Sequence, residues 1–163
     1  VPVVATLKGA VIGGGLELAA ACHIRVAEAG AYFALPEGQR GIFVGGGGSV
    51  RLPRLIGTAR MADMMLTGRV FDADQGERYG VVNYRVGDGA GLAKGIELAR
   101  KIAGNAPMTA FAVMHALPRI VEMSPSEGLF AESLMAASAS NTPEAQARLR
   151  AFLEGRAGKV VKE

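Results

Sequence analysis

Glu17 is the first residue in the sequence whose type and surroundings suit proton transfer. It follows Gly-Gly-Gly at positions 13–15, where a short apolar strand gives way to a helix. The first N–H groups of a helix have no partner inside the helix, and the dipole there favours negative charge. A developing oxyanion could bind to those N–H groups, with the Glu17 carboxylate beside it. The alternative is a tight turn followed by a glutamate that complements the helix dipole.

The second candidate carboxylate is Glu37, which stands twenty residues after Glu17 and directly follows Pro36. Pro36 restricts the backbone at the end of an aromatic and apolar segment, so the position of Glu37 relative to that segment is well defined. A carboxylate at the end of an apolar strand is suited to work as a general acid or base. The alternative is a solvated glutamate in a loop.

A run of four glycines at positions 45–48 precedes another predicted helix. Because glycine has no Cβ atom, such a segment lets a ligand approach the backbone closely. The run is therefore interpreted as part of the wall of an active site. A mobile loop without a binding role is the alternative. Arg51 and Arg54, in the helix that follows, are interpreted as structural or surface charges rather than as catalytic residues.

Several other kinds of site are excluded or unsupported. The dinucleotide motif Gly-x-Gly-x-x-Gly fails because its sixth position, counted from Gly13, is Leu18, and no phosphate-binding loop ending in Gly-Lys-Ser/Thr occurs. Cys22 is the one cysteine, which rules out an intrachain disulfide and a Cys-rich zinc site. His23 and His115 lack carboxylates or thiols at metal-ligand spacing, so both are interpreted as structural and no metal is expected.

The composition is that of a globular domain. The 163 residues are 50% hydrophobic and 20% charged, with a net charge of +3. The basic residues are scattered among acidic ones, which argues against a nucleic-acid-binding face. No apolar stretch reaches the ~18 residues that a membrane span needs, and no signal-peptide pattern opens the sequence. We therefore expect a cytoplasmic protein without membrane attachment.

The sequence pattern places these candidate residues in an α/β arrangement that is followed by several helices. Strands are predicted at 3–7, 24–27, 32–35 and 81–86, and helices at 16–22, 49–56, 59–66, 73–79, 92–103 and 108–122. Two more helices are predicted to open at 125 and 143. Asp72 and Ser124 are predicted N-caps, because Gln75 and Glu127 follow each of them by three residues. In the helix from 92 to 103, the spacing places Leu92, Ile96, Ala99 and Ile102 or Ala103 on one face. The order strand, glycine turn, helix, strand indicates an α/β unit with a crossover connection.

This series of segments resembles the crotonase superfamily of enoyl-CoA hydratases and isomerases. The most specific part is Gly-Gly-Gly-Leu-Glu-Leu at 13–18 together with Glu37, because hydratases of the family have paired glutamates at this spacing. The remaining matches occur in the same order at residues 2–9, 22–27, 33–37, 41–57, 66–68, 80–83 and 151–156. The resemblance implies an α/β fold with a ββα spiral core in residues 1–86. Residues 87–163 would then form a helical tail that mediates trimerisation and closes the CoA pocket.

The resemblance also implies an activity. Glu17 and Glu37 would add water across the C2–C3 double bond of a trans-2-enoyl-CoA thioester, while the Gly14 N–H stabilises the thioester oxygen. No cofactor is needed, since CoA is part of the substrate. Substrate contacts are expected at Gly13, Gly15, Pro36, Gly41, Gly45, Gly46 and Lys159.

Three further expectations complete the prediction. The chain is expected to be the C-terminal part of such an enzyme, with the N-terminal part of the core missing. A homotrimer or a hexamer formed by two trimers is the expected assembly. The alternatives are an enoyl-CoA isomerase or another acyl-CoA enzyme of the family, and a non-catalytic or RNA-binding relative, for which nucleic acid is the less favoured partner.

Overall fold

The computed structural model describes residues 1–158 and divides the chain into two compact units. Residues 2–101 form the first unit, and residues 102–158 belong to the second. The functional division predicted at residue 86 stays a prediction.

The first unit repeats a ββα arrangement. Its elements are the strands β1 (Val4–Leu7), β2 (Ala10–Ile12), β3 (Ile24–Glu28), β4 (Tyr32–Ala34), β5 (Phe71–Asp72) and β6 (Tyr84–Val86), and the helices α1 (Gly14–Ala21), α2 (Gly48–Ile56), α3 (Thr58–Thr67), α4 (Ala73–Tyr79) and α5 (Gly91–Ala103). In the first repeat β1 and β2 precede α1. In the second, β3 and β4 precede α2 and α3. The successive repeats stack as the predicted spiral.

Corresponding strands of the two repeats pair in parallel. β1 lies beside β3 with Val4 opposite Ile24, and β2 lies beside β4 with Ala10 opposite Tyr32. Strand β6 extends the first pair in parallel, and β5 extends the second in the antiparallel sense. Helix α1 provides the crossover between the repeats. Its first turn follows directly after the end of β2.

The core of this unit is apolar and closely packed. Side chains of both repeats meet in it, and the largest fully buried ones include Phe33, Phe71, Leu16, Leu52 and Met64. Burying side chains of this size stabilises the fold by about 1.5–3 kcal/mol each. Three of the methionines predicted at helical spacing, residues 61, 64 and 65, are buried in α3 as expected.

Three predictions about elements need correction. Strand β2 was not predicted, because three residues between glycines are too few for a periodic pattern. The last predicted strand is confined to β6, with Val81 buried just before it. The apolar face noted in α5 is not its buried face, since Leu92 and Ile96 are exposed while Gly91, Gly95 and Leu98 are buried. Glycine lets this helix approach β1 closely, because an added Cβ at Gly95 would collide with the methyl group of Thr6.

The second unit is helical within the described residues. It contains α6 (Pro107–Phe111), a π-helical turn (Ala112–Ala116), α7 (Leu117–Ile120), α8 (Pro125–Ser140) and α9 (Pro143–Leu153). The predicted capping box of α8 is confirmed, because Ser124 and Glu127 exchange side-chain and backbone hydrogen bonds. The same exchange between Asp72 and Gln75 starts α4. No helix in residues 1–158 is long and apolar enough to cross a membrane.

Candidate functional site

Glu17 lies in the first turn of α1, and only 6% of its surface is exposed. Its Oε1 atom accepts hydrogen bonds from the N–H groups of Gly46 and Gly48, both at 2.8 Å. These donors lie 29 and 31 residues further along the chain. The structure therefore brings two of the predicted site segments together, the first helix and the four-glycine run.

The space beside Gly46 and Gly48 is taken by the Glu17 side chain. An added Cβ would lie 2.8 Å from Glu17 Oε1 at position 48 and 3.2 Å from Glu17 Oε2 at position 46. Gly48 is also the first residue of α2, where N–H groups have no intrahelical acceptor. Glu17 thus supplies the cap of a second helix from outside that helix, which explains why neither position carries a side chain.

Glu37 is the second buried carboxylate, with 8% of its surface exposed. It follows β4, the fully buried Leu35 and the half-buried Pro36, and it begins the short 3-10 turn Gly38–Arg40. Within residues 1–158, Glu37 Oε2 is the buried side-chain oxygen for which no hydrogen-bond partner is present. A buried acceptor without a partner costs free energy, so this oxygen is a candidate for contact with a ligand.

Gly13 connects Glu37 to the start of α1. It is the N-cap of the helix and has φ = 55°, a left-handed value that favours glycine. Its N–H donates to the Ala34 carbonyl oxygen at 3.0 Å, and an added Cβ would lie 2.6 Å from Glu37 Oε1. Since Glu17 is in the first turn of the same helix, both carboxylates lie at the beginning of α1.

Gly14 and Gly15 are the first two residues of α1. An added Cβ at either position would meet nothing within 4 Å, so open space adjoins the backbone there. The N–H groups of such residues have no acceptor within their own helix. Oxyanion sites are built from such unpaired N–H groups, and the role of each glycine stays a prediction.

The other predicted contact residues are less closely connected to the carboxylates. Gly41 ends the 3-10 turn with φ = 71°, and Gly45 is exposed with open space beside it. Within residues 1–158, no hydrogen bond joins either glycine to the carboxylate of Glu17 or Glu37. Their binding roles and that of Pro36 stay predictions, and Lys159 lies outside the described residues.

Two residues near Glu17 were missed or underestimated by the sequence analysis. Gly48 was seen only as part of the four-glycine run, yet it donates one of the two hydrogen bonds to Glu17. Arg51 was interpreted as a structural or surface charge, and its Nη1 donates to the Gly46 carbonyl oxygen at 3.1 Å. The run of glycines before a helix marks this segment in the sequence but does not show which residue its N–H groups bind.

A buried arginine holds the opposite end of α1. Arg25 donates from Nε to the Val81 carbonyl oxygen at 2.6 Å and from Nη1 to the Cys22 carbonyl oxygen at 2.7 Å. Burial lowers the pKa of the Arg25 guanidinium below its usual value. Cys22 is the C-cap of α1, so these hydrogen bonds fix the end of the helix that carries Glu17.

The residues rejected as metal ligands or nucleophiles have structural contacts. His23 Nδ1 accepts the Val3 N–H at 3.1 Å, and the Cys22 thiol lies 3.5 Å from the Leu18 carbonyl oxygen. No group of three His, Cys, Asp or Glu side chains that could hold a metal ion occurs in the part of the chain that the structure describes.

Comparison with known proteins gives consistent matches. The sequence model of the enoyl-CoA hydratase/isomerase family matches residues 1–160. A solved structure described as a "putative enoyl-CoA hydratase" from Rhodopseudomonas palustris has a TM-score of 0.93 and 63% identity, over 96% of this chain and 60% of that one. An enoyl-CoA hydratase structure from Bacillus anthracis has a TM-score of 0.88 and 35% identity, over 95% and 60%.

A curated relative from Mus musculus shows the same partial coverage. The mitochondrial enoyl-CoA hydratase domain-containing protein 2 is 34% identical in an alignment of length 165, which covers 99% of this chain and 56% of that protein. The chain therefore spans little more than half the length of this relative.

Proposed function

The chain belongs to the enoyl-CoA hydratase/isomerase family and has the crotonase fold, and on this basis we propose that the protein hydrates trans-2-enoyl-CoA thioesters. The observation that carries the proposal is the pair of buried carboxylates, Glu17 and Glu37, at the start of one helix. Hydration requires one group that takes a proton from water and another that gives a proton to carbon, so two neighbouring carboxylates suit it.

The hydrogen bonds of the two glutamates support a division of roles. Two N–H donors reach Glu17 Oε1, and charge-assisted bonds of this kind stabilise a negative carboxylate. Glu37 Oε2 is buried and has no hydrogen-bond partner among the described residues, so it is available to contact the substrate. We therefore assign Glu17 as the base and Glu37 as the acid.

In the proposed reaction Glu17 removes a proton from water as the water oxygen forms a bond to C3. The π electrons of the C2–C3 double bond shift towards C2 and the thioester oxygen. Glu37 then gives its proton to C2. The Gly14 N–H, at the open start of α1, donates a hydrogen bond to the thioester oxygen as negative charge develops there. The product is a 3-hydroxyacyl-CoA.

One observation favours a second candidate, enoyl-CoA isomerisation. An isomerase needs a single carboxylate that carries a proton from one substrate carbon to another. The buried oxygen of Glu37 that has no partner could do this alone, with Glu17 serving only as the cap of α2. The two candidates differ in what they require of Glu17.

The test is an absorbance assay with trans-2-butenoyl-CoA on the intact protein, following loss of the conjugated thioester and formation of 3-hydroxybutanoyl-CoA. We expect hydration, and we expect Glu17→Gln and Glu37→Gln each to lower kcat by about 10²–10⁴-fold. The control is Glu97→Gln, an exposed glutamate in α5 that pairs with Lys94. Full hydration activity in either site variant would refute the two-carboxylate mechanism. No hydration, with isomerisation of a 3-enoyl-CoA that survives Glu17→Gln, would establish the second candidate.

We also propose that the helical unit mediates self-association into a trimer or a hexamer. Large apolar side chains are exposed on α8 and α9, among them Phe130 and Phe152, each 68% exposed. Exposed apolar side chains in such number are typical of an interface. Sedimentation equilibrium on the intact protein tests this, and a monomer at micromolar concentration would contradict it. The absence of a cofactor and the cytoplasmic location stay predictions.

A further inference from the structure

Arg51 is an exposed residue in the first turns of α2, and it is bound to the glycine segment by two hydrogen bonds. Its side-chain Nη1 donates to the Gly46 carbonyl oxygen at 3.1 Å, and its backbone N–H donates to the Gly47 carbonyl oxygen at 3.1 Å. The backbone bond is the ordinary first hydrogen bond of α2, so the side-chain bond to Gly46 is the contact that depends on arginine.

The absence of a side chain at Gly47 leaves room for the guanidinium of Arg51. Its φ is 91°, and an added Cβ would overlap the Arg51 guanidinium. The guanidinium thus lies directly over Gly47, between the two residues whose N–H groups hold Glu17 Oε1, namely Gly46 and Gly48. A side chain at position 47 would therefore displace the guanidinium from this position.

We propose that Arg51 is a positioning residue for Glu17, an inference that rests on the proposed hydratase function. Arg51 binds the carbonyl oxygen of Gly46, and the N–H of Gly46 binds Glu17. Glycine-rich backbone has more conformational freedom than other sequences, so the side chain of Arg51 restricts a segment that could otherwise turn its N–H groups away. A base displaced by even 1 Å loses up to about 10²-fold in rate.

The test compares three variants of the intact protein. Arg51→Gln removes the guanidinium, Arg51→Lys keeps a cation that can donate to Gly46, and Arg54→Gln is the control. Arg54 is also exposed on α2, but its Nη1 donates to Val50 within the helix rather than to the glycine segment. Two readouts are taken: kcat and KM for hydration, and amide hydrogen exchange at Gly46 and Gly48 by NMR.

We expect Arg51→Gln to lower kcat by about tenfold with KM changed less than about twofold, because the base and not the binding of substrate is displaced. Exchange of the Gly46 and Gly48 amides should become faster by about tenfold, in line with a local opening of the segment. Arg51→Lys should recover part of both effects, and Arg54→Gln should cause neither.

The proposal is overturned if amide exchange in Arg51→Gln matches that in Arg54→Gln, whatever happens to kcat. It is also overturned if exchange becomes faster while kcat stays unchanged in a protein that hydrates the substrate. If the unmodified protein does not hydrate enoyl-CoA, the proposed function fails and amide exchange alone decides whether Arg51 fixes the segment around Glu17.

Discussion

Replacing Gly48 with alanine tests the contact between Glu17 and α2 most directly. The backbone of Gly48 is helical, so alanine is conformationally acceptable there and would by helix propensity stabilise α2 by up to about 1 kcal/mol. The added Cβ would however lie 2.8 Å from both Cγ and Oε1 of Glu17, whereas ordinary contacts begin at 3.4 Å. The buried carboxylate must therefore withdraw by about 0.6 Å.

The change in the free energy of unfolding is the cost of overpacking minus the gain in helix propensity. Overpacking at a buried position costs about 1–3 kcal/mol, which exceeds the gain from helix propensity. We expect Gly48→Ala to lower the free energy of unfolding by about 0–2 kcal/mol. A displacement of the base by this distance should lower kcat for hydration by roughly 10–100-fold.

Urea unfolding and the hydration assay measure the two effects, and a double-mutant cycle identifies their source. In a Glu17→Ala background the obstacle is gone, so Gly48→Ala should become neutral or stabilising. Gly87→Ala is the control, because Gly87 is exposed and an added Cβ there meets nothing within 4 Å. A destabilisation that is equally large with and without the Glu17 side chain, or full activity of Gly48→Ala, would refute the reasoning.

Two further predictions concern local structure. Gly13→Ala should lower the free energy of unfolding by at least about 1–2 kcal/mol, because φ is 55° and the new Cβ would lie 2.6 Å from Glu37 Oε1. Urea unfolding measures this change. A result equal to that of the Gly87→Ala control would contradict the prediction. Ser124→Ala should cost about 1 kcal/mol at pH 7 through loss of the α8 cap. Hydrogen bonds from Ser124 lower the pKa of Glu127, so their stabilisation is present above the usual glutamate range near 4.3 and is lost as the pH falls through the lowered pKa. The loss measured by unfolding should therefore be smaller at pH 3 than at pH 7, and equal losses at both would exclude the Glu127 contribution.

Local features of this fold could be predicted from the sequence because the interacting residues are close in the chain. The capping boxes of α4 and α8 join residues three positions apart, so the types of Asp72 and Ser124 together with their partners were sufficient. In each of these regions sequence pattern and structure agree.

The packing of α5 shows where pattern reasoning fails. Leu92 and Ile96 have the spacing of a buried face, but the helix packs through Gly91 and Gly95 instead. Glycine carries no hydrophobic signal, so a scan for apolar periodicity passes over it. What decided the packing was how closely the backbone could approach Thr6, and this depends on tertiary structure.

The candidate site was predicted in its residues but not in its connections. Glu17 and Glu37 were identified by type and spacing, and the structure places both at the start of α1. The four-glycine segment was interpreted as a wall open to ligand, whereas two of its N–H groups face Glu17. Such pairing between segments about 30 residues apart leaves no trace in local sequence, because any glycine-rich turn would look the same.

The use of Glu17 as the cap of α2 limits how this site can be redesigned. A library that varies the glycine segment to change acyl-chain preference would lose most members with side chains at positions 46–48, since Glu17 and Arg51 fill that space. Position 45, where an added Cβ meets nothing, is where variation is tolerated. Conversely, a Glu17 substitution made to abolish chemistry also removes a helix cap, so inactive variants should be chosen at Glu37 when an undisturbed backbone is needed for substrate-trapping studies.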